Sequence, residues 1–351
     1  MQIGNKHIES GSVYVIAEIG VNHDGTPVKA LELVDAAAHA GADAVKLQYF
    51  QTDLLMSRSA KLAAYQKNAG ESDPIAMLRR LELRIEQMTA IVDRSKALGL
   101  HAIVTVFSTE LVEKAESLRW DAYKTASPDI VHRPLLEQLS HTGKPLIVST
   151  GAARADEVAT AAAWLREWGA TGRTATLQCV SSYPTPIEQA ELGGIPALAL
   201  LTRGPIGYSD HTPGEETGAL AVRMGAMILE KHLTYSRAAK GPDHSASLEP
   251  DGLKRYIDLA RAAAASGERV AIPGTQQIKR VLPIEEDVRR VSRQSVVATR
   301  ALATGTIITA SDLTIKRPGT GIHAADMARI AGKHVVRPIE ADCVIAWEDV
   351  A

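Results

Sequence analysis

The stretch VYVIAEIGVNHDGTPVKALELVDAAAHAGADAVKLQYF, residues 13–50, decides how the chain folds, because it sets two apolar runs on either side of a helical one. VYVIAEIG (13–20) is continuously apolar and β-branched, as a strand buried on both faces should be. After the turn NHDG, Thr26 is placed to cap a helix beginning at Pro27, the favoured first position. In that helix, PVKALELVDAAAHA, the spacing sets Val28, Leu31, Val34 (with Leu33) and Ala38 along one stripe, and Gly41 terminates it. DAVKLQYF (43–50) is the next strand, so the stretch is one strand–helix unit leading into another.

The alternation continues through HAIVTVFS (101–108), DAYKTAS (121–127), KPLIVST (144–150), TATLQCVSS (174–182), PIGYSD (205–210) and AMILEKH (226–232), with helical segments such as ADEVATAAAWLREW between them. Eight strands alternating with helices predict an α/β fold, a (β/α)8 TIM barrel. The competing doubly wound sheet usually has fewer strands and a glycine-rich fingerprint after its first strand, and none follows VYVIAEIG. The rhythm changes at AIPGTQQIKRVLPIEEDVRR (271–290), whose two prolines and dense charges suit a linker or extended arm. RQSVVATRALATGTIITASDLTIKRPGTGI (293–322) then reads as short strands and turns. The expected division is a barrel over 1–272, a linker over 273–290 and a small second domain over 291–351 that leans on the barrel or on another subunit.

Composition narrows the function. The chain has 351 residues, 45% hydrophobic and 23% charged, with a formal net charge of -2, so nothing marks a nucleic-acid or anionic-membrane partner. An anionic ligand must be held by local cations. Cys179 and Cys343 lack metal-ligand spacing and are expected as reduced thiols. MQIGNKHIES lacks the basic flank and apolar core of a secretory signal, and no apolar run approaches membrane-spanning length; the expectation is a soluble, cytoplasmic protein.

Barrel enzymes build their sites at the C-terminal ends of the strands. The first strand ends with Glu18, the second contributes Lys46 and Gln48, and the third Thr105 and Ser108. The fourth gives Lys124 and Ser127 with Asp129 close behind, and the fifth Ser149 and Thr150. The sixth supplies Ser181 and Ser182 before Tyr183, the seventh Ser209, Asp210 and His211, and the eighth Glu230 and His232. Polar residues facing solvent at strand ends are the bland alternative. That alternative suits Lys46 and Lys124 poorly, because both sit inside apolar text, where an ammonium is expensive unless it meets an anion. Two lysines with hydroxyls from Thr105, Ser127, Ser149 and Ser209 suit a ligand bearing phosphate and carboxylate. His211 and His232 end adjacent strands, so their imidazoles can converge on a divalent ion such as Mn, Co or Zn, with Asp210 and Glu230 as supporting or substrate-positioning carboxylates. GPDHSASLEP (241–250) adds Asp243 in a loop after the eighth strand, a capped turn or part of the same mouth.

Taken in order, AEIGVNHDG, DAVKLQ, KTASPD, IVSTGAA, CVSSYPTP, YSDHTPG, EKHLT, GPDHSAS and RPGTG resemble the sialic acid synthase family, and the C-terminal part is similar to its antifreeze-like SAF domain. The resemblance implies a TIM barrel joined to an SAF domain in a domain-swapped homodimer. It implies condensation of phosphoenolpyruvate with an open-chain N-acetylmannosamine-type sugar, giving N-acetylneuraminate and phosphate with C–O cleavage. It also implies a divalent metal, usually Mn with Co, Mg or Zn as other occupants, on His211 and His232. Lys46, Thr105, Lys124, Ser127, Ser149 and Ser209 match phosphoenolpyruvate-binding positions, while Glu18, Tyr183 and Asp243 match positions that contact or orient the sugar. Asp129 stands where the family usually has glutamate, a candidate for proton transfer, and Arg317 matches an SAF arginine that reaches into the partner's site to hold the N-acyl group. Ser181 replaces a common asparagine and Pro128 a glycine, which opens the acceptor to a diacetamido-trideoxyhexose, as in legionaminate or pseudaminate synthesis. A pyruvate metal aldolase leaves the paired lysines without an anion, and an SAF ice or glycan binder leaves the barrel without a task.

Overall fold

A computed structural model describes residues 1–270 and 277–351. The expected 272/273 domain boundary lies outside the described residues. Eight parallel strands close a barrel: β1 (Tyr14–Glu18), β2 (Ala44–Tyr49), β3 (His101–Val106), β4 (Ala122–Thr125), β5 (Leu146–Ser149), β6 (Thr174–Cys179), β7 (Ile206–Asp210) and β8 (Ile228–His232), with β8 pairing both β7 and β1. All eight fall inside the segments read as strands.

Side chains alternate across each strand, so inward residues along β2 are Ala44, Lys46 and Gln48, while Val45, Leu47 and Tyr49 join the outer core beneath the helices. Around the barrel the lower inward positions are apolar: Ile16, Ala44, Ile103, Ala122, Ile147, Leu177 and Ile228 form one cluster. Residues 2–7 make an N-terminal hairpin whose Ile3, with the following Ile8, joins that cluster. One inward step further along, the polar and charged residues begin. The barrel floor is therefore oil and its mouth is charge, a division set by strand parity.

The helix Pro27–Ala40 ends at Gly41 in the left-handed conformation, as expected. Its buried face overlaps the expected stripe and departs from it at Val28: Leu33 and Val34 are buried, and Leu31 and Ala38 pack partly buried against the core. Ala30, Leu33, Val34, Ala37 and Ala40 are buried and Val28 is 66% exposed, because the small alanines let the helix lie close to the strands. Thr26 occupies the cap position, but its hydroxyl donates to His23 O at 3.0 Å and caps nothing.

Two segments depart from the sequence reading. Residues 51–84, which carried no assignment, hold short helices Thr52–Leu55, Ala64–Asn68 and Pro74–Leu81. Their Leu55, Met77, Leu78 and Leu81 pack with Phe50 and Phe107 over the mouth. The arm expected as a linker is helical over Glu286–Ser292 and docked, because its charges find partners on the barrel. Arg280 pairs with Glu191 at 2.7 Å, and Arg289 and Arg293 reach Glu157 at 2.7 and 2.6 Å. The C-terminal domain pairs β9 (Ser295–Ala298) with β10 (Leu313–Lys316), antiparallel, around a small core of Val296, Leu302, Ile308, Ile322, Ile330 and Ile345. It joins the barrel through backbone bonds: Arg317 N–H donates to Leu55 O at 2.8 Å and Ser57 N–H donates to Arg317 O at 3.1 Å.

The Glu157 cluster makes docking of the arm pH-dependent. Burial works to raise the Glu157 carboxyl, but hydrogen bonds from Arg293 and Arg289 prevail and hold it far below its ordinary value. A depressed carboxyl contributes stability above its unfolded value of 4.5 and loses it as pH falls toward the folded value. Glu157→Gln should cost about 3 kcal/mol near neutral pH. Urea unfolding from neutral to acidic pH should show that deficit shrinking on acidification; a constant deficit would rule out the ionic contribution.

Candidate active site

The sixteen strand ends and following loops are not equivalent; the C-terminal rim carries a pocket that encloses, with its open mouth, about 900 Å³ of non-protein space. Lys46, Gln48, Thr105, Lys124, Ser127, Ser149, Ser181, Tyr183, Ser209, His211, Glu230, His232, Asp243 and Arg317 all line it. Most of the expected residues therefore meet in one place.

The pocket floor is a buried charge network. Lys46 Nζ lies 2.9 Å from Glu18 Oε2 and 3.6 Å from Glu230 Oε2, and it donates to Thr105 Oγ1 at 3.2 Å. Lys124 Nζ lies 3.2 Å from Glu230 Oε1, which also accepts from Ser209 Oγ at 3.1 Å. Burial works to lower the Lys46 ammonium, but Glu18 and Glu230 outweigh it and the net shift is upward. Lys124 has less carboxylate around it, and burial lowers it despite Glu230. Ser149 Oγ is buried and has no hydrogen-bond partner among the described residues, so a hydroxyl in the same pocket as the two lysines is left for a ligand.

The two histidines meet above this floor with ring centroids 5.4 Å apart. His211 Nδ1 donates to the Val180 carbonyl at 2.8 Å; burial works to lower this imidazole, but Cys179, the Val180 carbonyl and Glu230 outweigh it and the net shift is upward. His232 is pushed well below its ordinary value, first by burial and then by His211 and the lysines, so its imidazole is neutral. Its Nδ1 is buried with no hydrogen bond among the described residues. Two converging imidazoles fit a divalent ion, and among the described residues no group of three His, Cys, Asp or Glu closes a metal cage. Open positions of that kind are those of an ion that shares its shell with substrate.

Three expected site residues lie elsewhere. Asp210 points outward, because Ser209 takes the inward position of β7; its Oδ1 accepts from Thr212 N–H and Oγ at 2.8 and 2.7 Å, and its Oδ2 lies 3.2 Å from the fully buried Lys231. Glu18 sits below the lining, where it accepts from Gln48 Nε2 at 2.9 Å and holds Lys46. Asp129 lies behind Arg317, accepting from Gln294 Nε2 at 2.9 Å, with its carboxyl pushed up to about 6, chiefly by burial. Asp243 does line the pocket, 3.6 Å from His232 Nδ1, and burial raises it to about 7. Arg317 enters the barrel of its own chain in this structure, over the Phe107 ring at 5.6 Å.

Sequence reasoning missed the upper wall. Phe50, Leu55, Tyr65, Gln66, Met77, Leu78, Leu81 and Phe107 line the pocket from the 51–84 insertion and its neighbours. The Tyr65 ring lies 4.8 Å from that of Tyr183, tilted by 34°, and the Tyr183 ring lies 4.0 Å from His211. The available signal was the unusual length of the connection after β2.

The NeuB family profile matches residues 33–270 and the SAF domain matches residues 293–351. The chain belongs to the NeuB family. This NeuB-family chain is 34% identical to the N,N'-diacetyllegionaminic acid synthase of Legionella pneumophila over 97% of its own length and 95% of the relative's. It is 30% identical to the N-acetylneuraminate-9-phosphate synthase of Homo sapiens over 99% of its length and 94% of the relative's. The crystal structure of SpsE from Bacillus subtilis superposes with a TM-score of 0.86 at 31% identity, covering 100% of this chain and 99% of that one. Membership makes it a phosphoenolpyruvate-dependent nonulosonic acid synthase of TIM-barrel and SAF construction, consistent with a divalent metal. No helix among the described residues is long and apolar enough to cross a membrane.

If the two imidazoles are the metal ligands, His211→Ala and His232→Ala should each weaken metal retention by at least about tenfold. Elemental analysis of purified protein after dialysis reads this directly, and equal metal in parent and variants would remove both from that role.

Proposed function

We propose that this chain condenses phosphoenolpyruvate with the open-chain aldehyde of an N-acetylmannosamine-type sugar to give N-acetylneuraminate and inorganic phosphate. The observation that carries the reading is the lysine pair with an unsatisfied Ser149 hydroxyl, on the same rim as two facing imidazoles. Lys46, Lys124 and the hydroxyls of Thr105, Ser127, Ser149 and Ser209 hold the phosphate and carboxylate. The enol C3 forms the new bond to the aldehyde carbon, whose oxygen takes a proton. Water adds at C2, and the C2–O bond to phosphate breaks. A bound divalent ion, which we take as Mn, supplies Lewis acidity at the aldehyde and a more acidic water. Glu18 and Glu230 keep the lysines in place, and Tyr183 and Asp243 orient the sugar above them.

A second acceptor has its own support. The wall of Leu55, Met77, Leu78, Leu81 and Phe107 is apolar, which suits the methyl group of a 2,4-diacetamido-trideoxyhexose better than a hydroxymethyl group. Legionaminate synthases are among the relatives. Phosphate release should require phosphoenolpyruvate, metal and sugar together, with N-acetylmannosamine and the trideoxy sugar assayed in parallel. Label in the bridging oxygen should leave with phosphate; label kept in the sugar acid would refute C–O cleavage.

The assembly we propose is a homodimer in which each C-terminal domain supplies Arg317 to the other subunit's barrel. Mixing Arg317→Ala chains with His232→Ala chains, each inactive alone, tests it. Exchange leaves one intact site per mixed dimer, so activity should return to part of the parent level. If Arg317 serves its own barrel, as it does in the single chain, no activity returns.

A further inference from the structure

The arm between the domains carries a buried acid that the proposed chemistry does not use. Glu285 closes the turn Pro283–Glu285 and is fully buried. Its Oε1 accepts from the N–H of Ala152 at 2.6 Å and of Ser181 at 2.8 Å, and its Oε2 accepts from Leu282 N–H at 2.9 Å. One carboxylate oxygen thus ties the loop after β5 to the loop after β6. The arm grips Ala152 from its other side too: the Ala152 carbonyl accepts from Arg289 Nη1 at 2.6 Å and Arg293 Nη2 at 3.1 Å. Ala152 needs such a hold, because its φ of 51° is left-handed, a conformation that costs a non-glycine residue about 1 kcal/mol or more.

The gripped peptide adjoins the hydroxyl side of the pocket. Gly151 N–H donates to Ser127 Oγ at 3.0 Å. A Cβ on Gly151 would come within 2.2 Å of Ser181 Oγ and 2.8 Å of Ser127 Oγ, so the two loops have no slack between them. Ser127, Ser149 and Ser181 all line the pocket, and their spacing depends on how these loops are pinned together.

We infer that Glu285 is a positioning residue for the anion-binding side of the pocket. Docking of the interdomain arm sets the β5 and β6 loops at the separation where the Ser127 and Ser149 hydroxyls can meet a phosphate, with Ser181 alongside. Glu285 touches no substrate; it acts through two backbone N–H groups. A carboxylate suits the task because one oxygen serves both loops while the other serves its own turn. The inference rests on the phosphoenolpyruvate reading only for the identity of the anion.

Glu285→Ala and Glu285→Gln in the full-length chain test this by steady-state kinetics and amide exchange. With metal and sugar saturating, Glu285→Ala should raise KM for phosphoenolpyruvate by about tenfold to a hundredfold, as displaced positioning groups do, with a smaller change in kcat. Glu285→Gln should fall between, because its carbonyl still takes both loop N–H groups but its NH2 cannot accept from Leu282. Exchange should quicken in peptides covering 150–153 and 179–182 while the barrel strands keep parental protection. An unchanged KM in a folded variant overturns the inference. So does loss of protection spread over the whole barrel in both variants, which would make Glu285 a general stabiliser. If the parent protein itself releases no phosphate from phosphoenolpyruvate, the functional reading fails, and the exchange comparison still judges Glu285.

Discussion

Two ammonium groups held inside a closed barrel by two carboxylates are the constraint on which the rest depends. Lys46 lies between Glu18 and Glu230, and Lys124 reaches the other oxygen of Glu230. An isolated buried charge costs several kcal/mol, so these four groups are tolerable only together and only in register. Their strands, β1, β2, β4 and β8, span the barrel. A one-residue slip in any of them would turn its charge into the apolar layer beneath the helices and strand the partner. The alternation that selects Lys46 over Val45 also puts Ala44 below it, which separates a dry floor from a charged mouth. Fold and site rest on the same parity.

That parity explains what the sequence made legible. Strand runs, their number and the clustering of polar residues at their C-terminal ends need only local pattern, and they placed Lys46, Lys124, Ser149, His211 and His232 on one rim. Parity was also readable for Asp210, since adjacent residues on a strand cannot face the same way, and Ser209 already held the inward position. Depth was harder. Glu18 and Asp129 belong to the right strand ends but lie behind their neighbours, and nothing in a linear pattern separates the lining from the layer that supports it. The segment 51–84 offered short helices without sustained periodicity, so its part in the wall emerged only when Tyr65 met Tyr183. The arm was misjudged for a related reason. Its arginines and glutamates look solvated until Glu157, Ala152 and Ser181, all distant in sequence, come alongside.

The pocket divides its labour by origin. The floor comes from barrel strands, fixed by closed hydrogen bonding, and holds the groups suited to phosphate and carboxylate. The wall comes from the insertion after β2, the interdomain arm and the C-terminal domain, and it contributes Tyr65, Val288 and Arg317. Relatives named for different sugar acids stand at similar identity to this chain, and a wall assembled from insertions and a second domain can vary without disturbing strand register. The reaction class therefore follows from the barrel more securely than the acceptor does.

Charge balance links the parts. The floor carries Lys46 and Lys124 against Glu18 and Glu230, which cancel, so a ligand with both phosphate and carboxylate finds no net positive charge there. The carboxyl of Glu18 is raised by burial, so part of the balance can be relieved by a proton; the divalent ion proposed for His211 and His232 would supply two further positive charges beside it. In a low-dielectric mouth such charges are felt strongly, and each must favour the binding of the other. By the reciprocity of linkage, an anion that strengthens metal binding is itself bound more tightly when the metal is present. Under the proposed reading two imidazoles would be enough for such a site, because the substrate would bring the negative charge that additional carboxylate ligands otherwise supply.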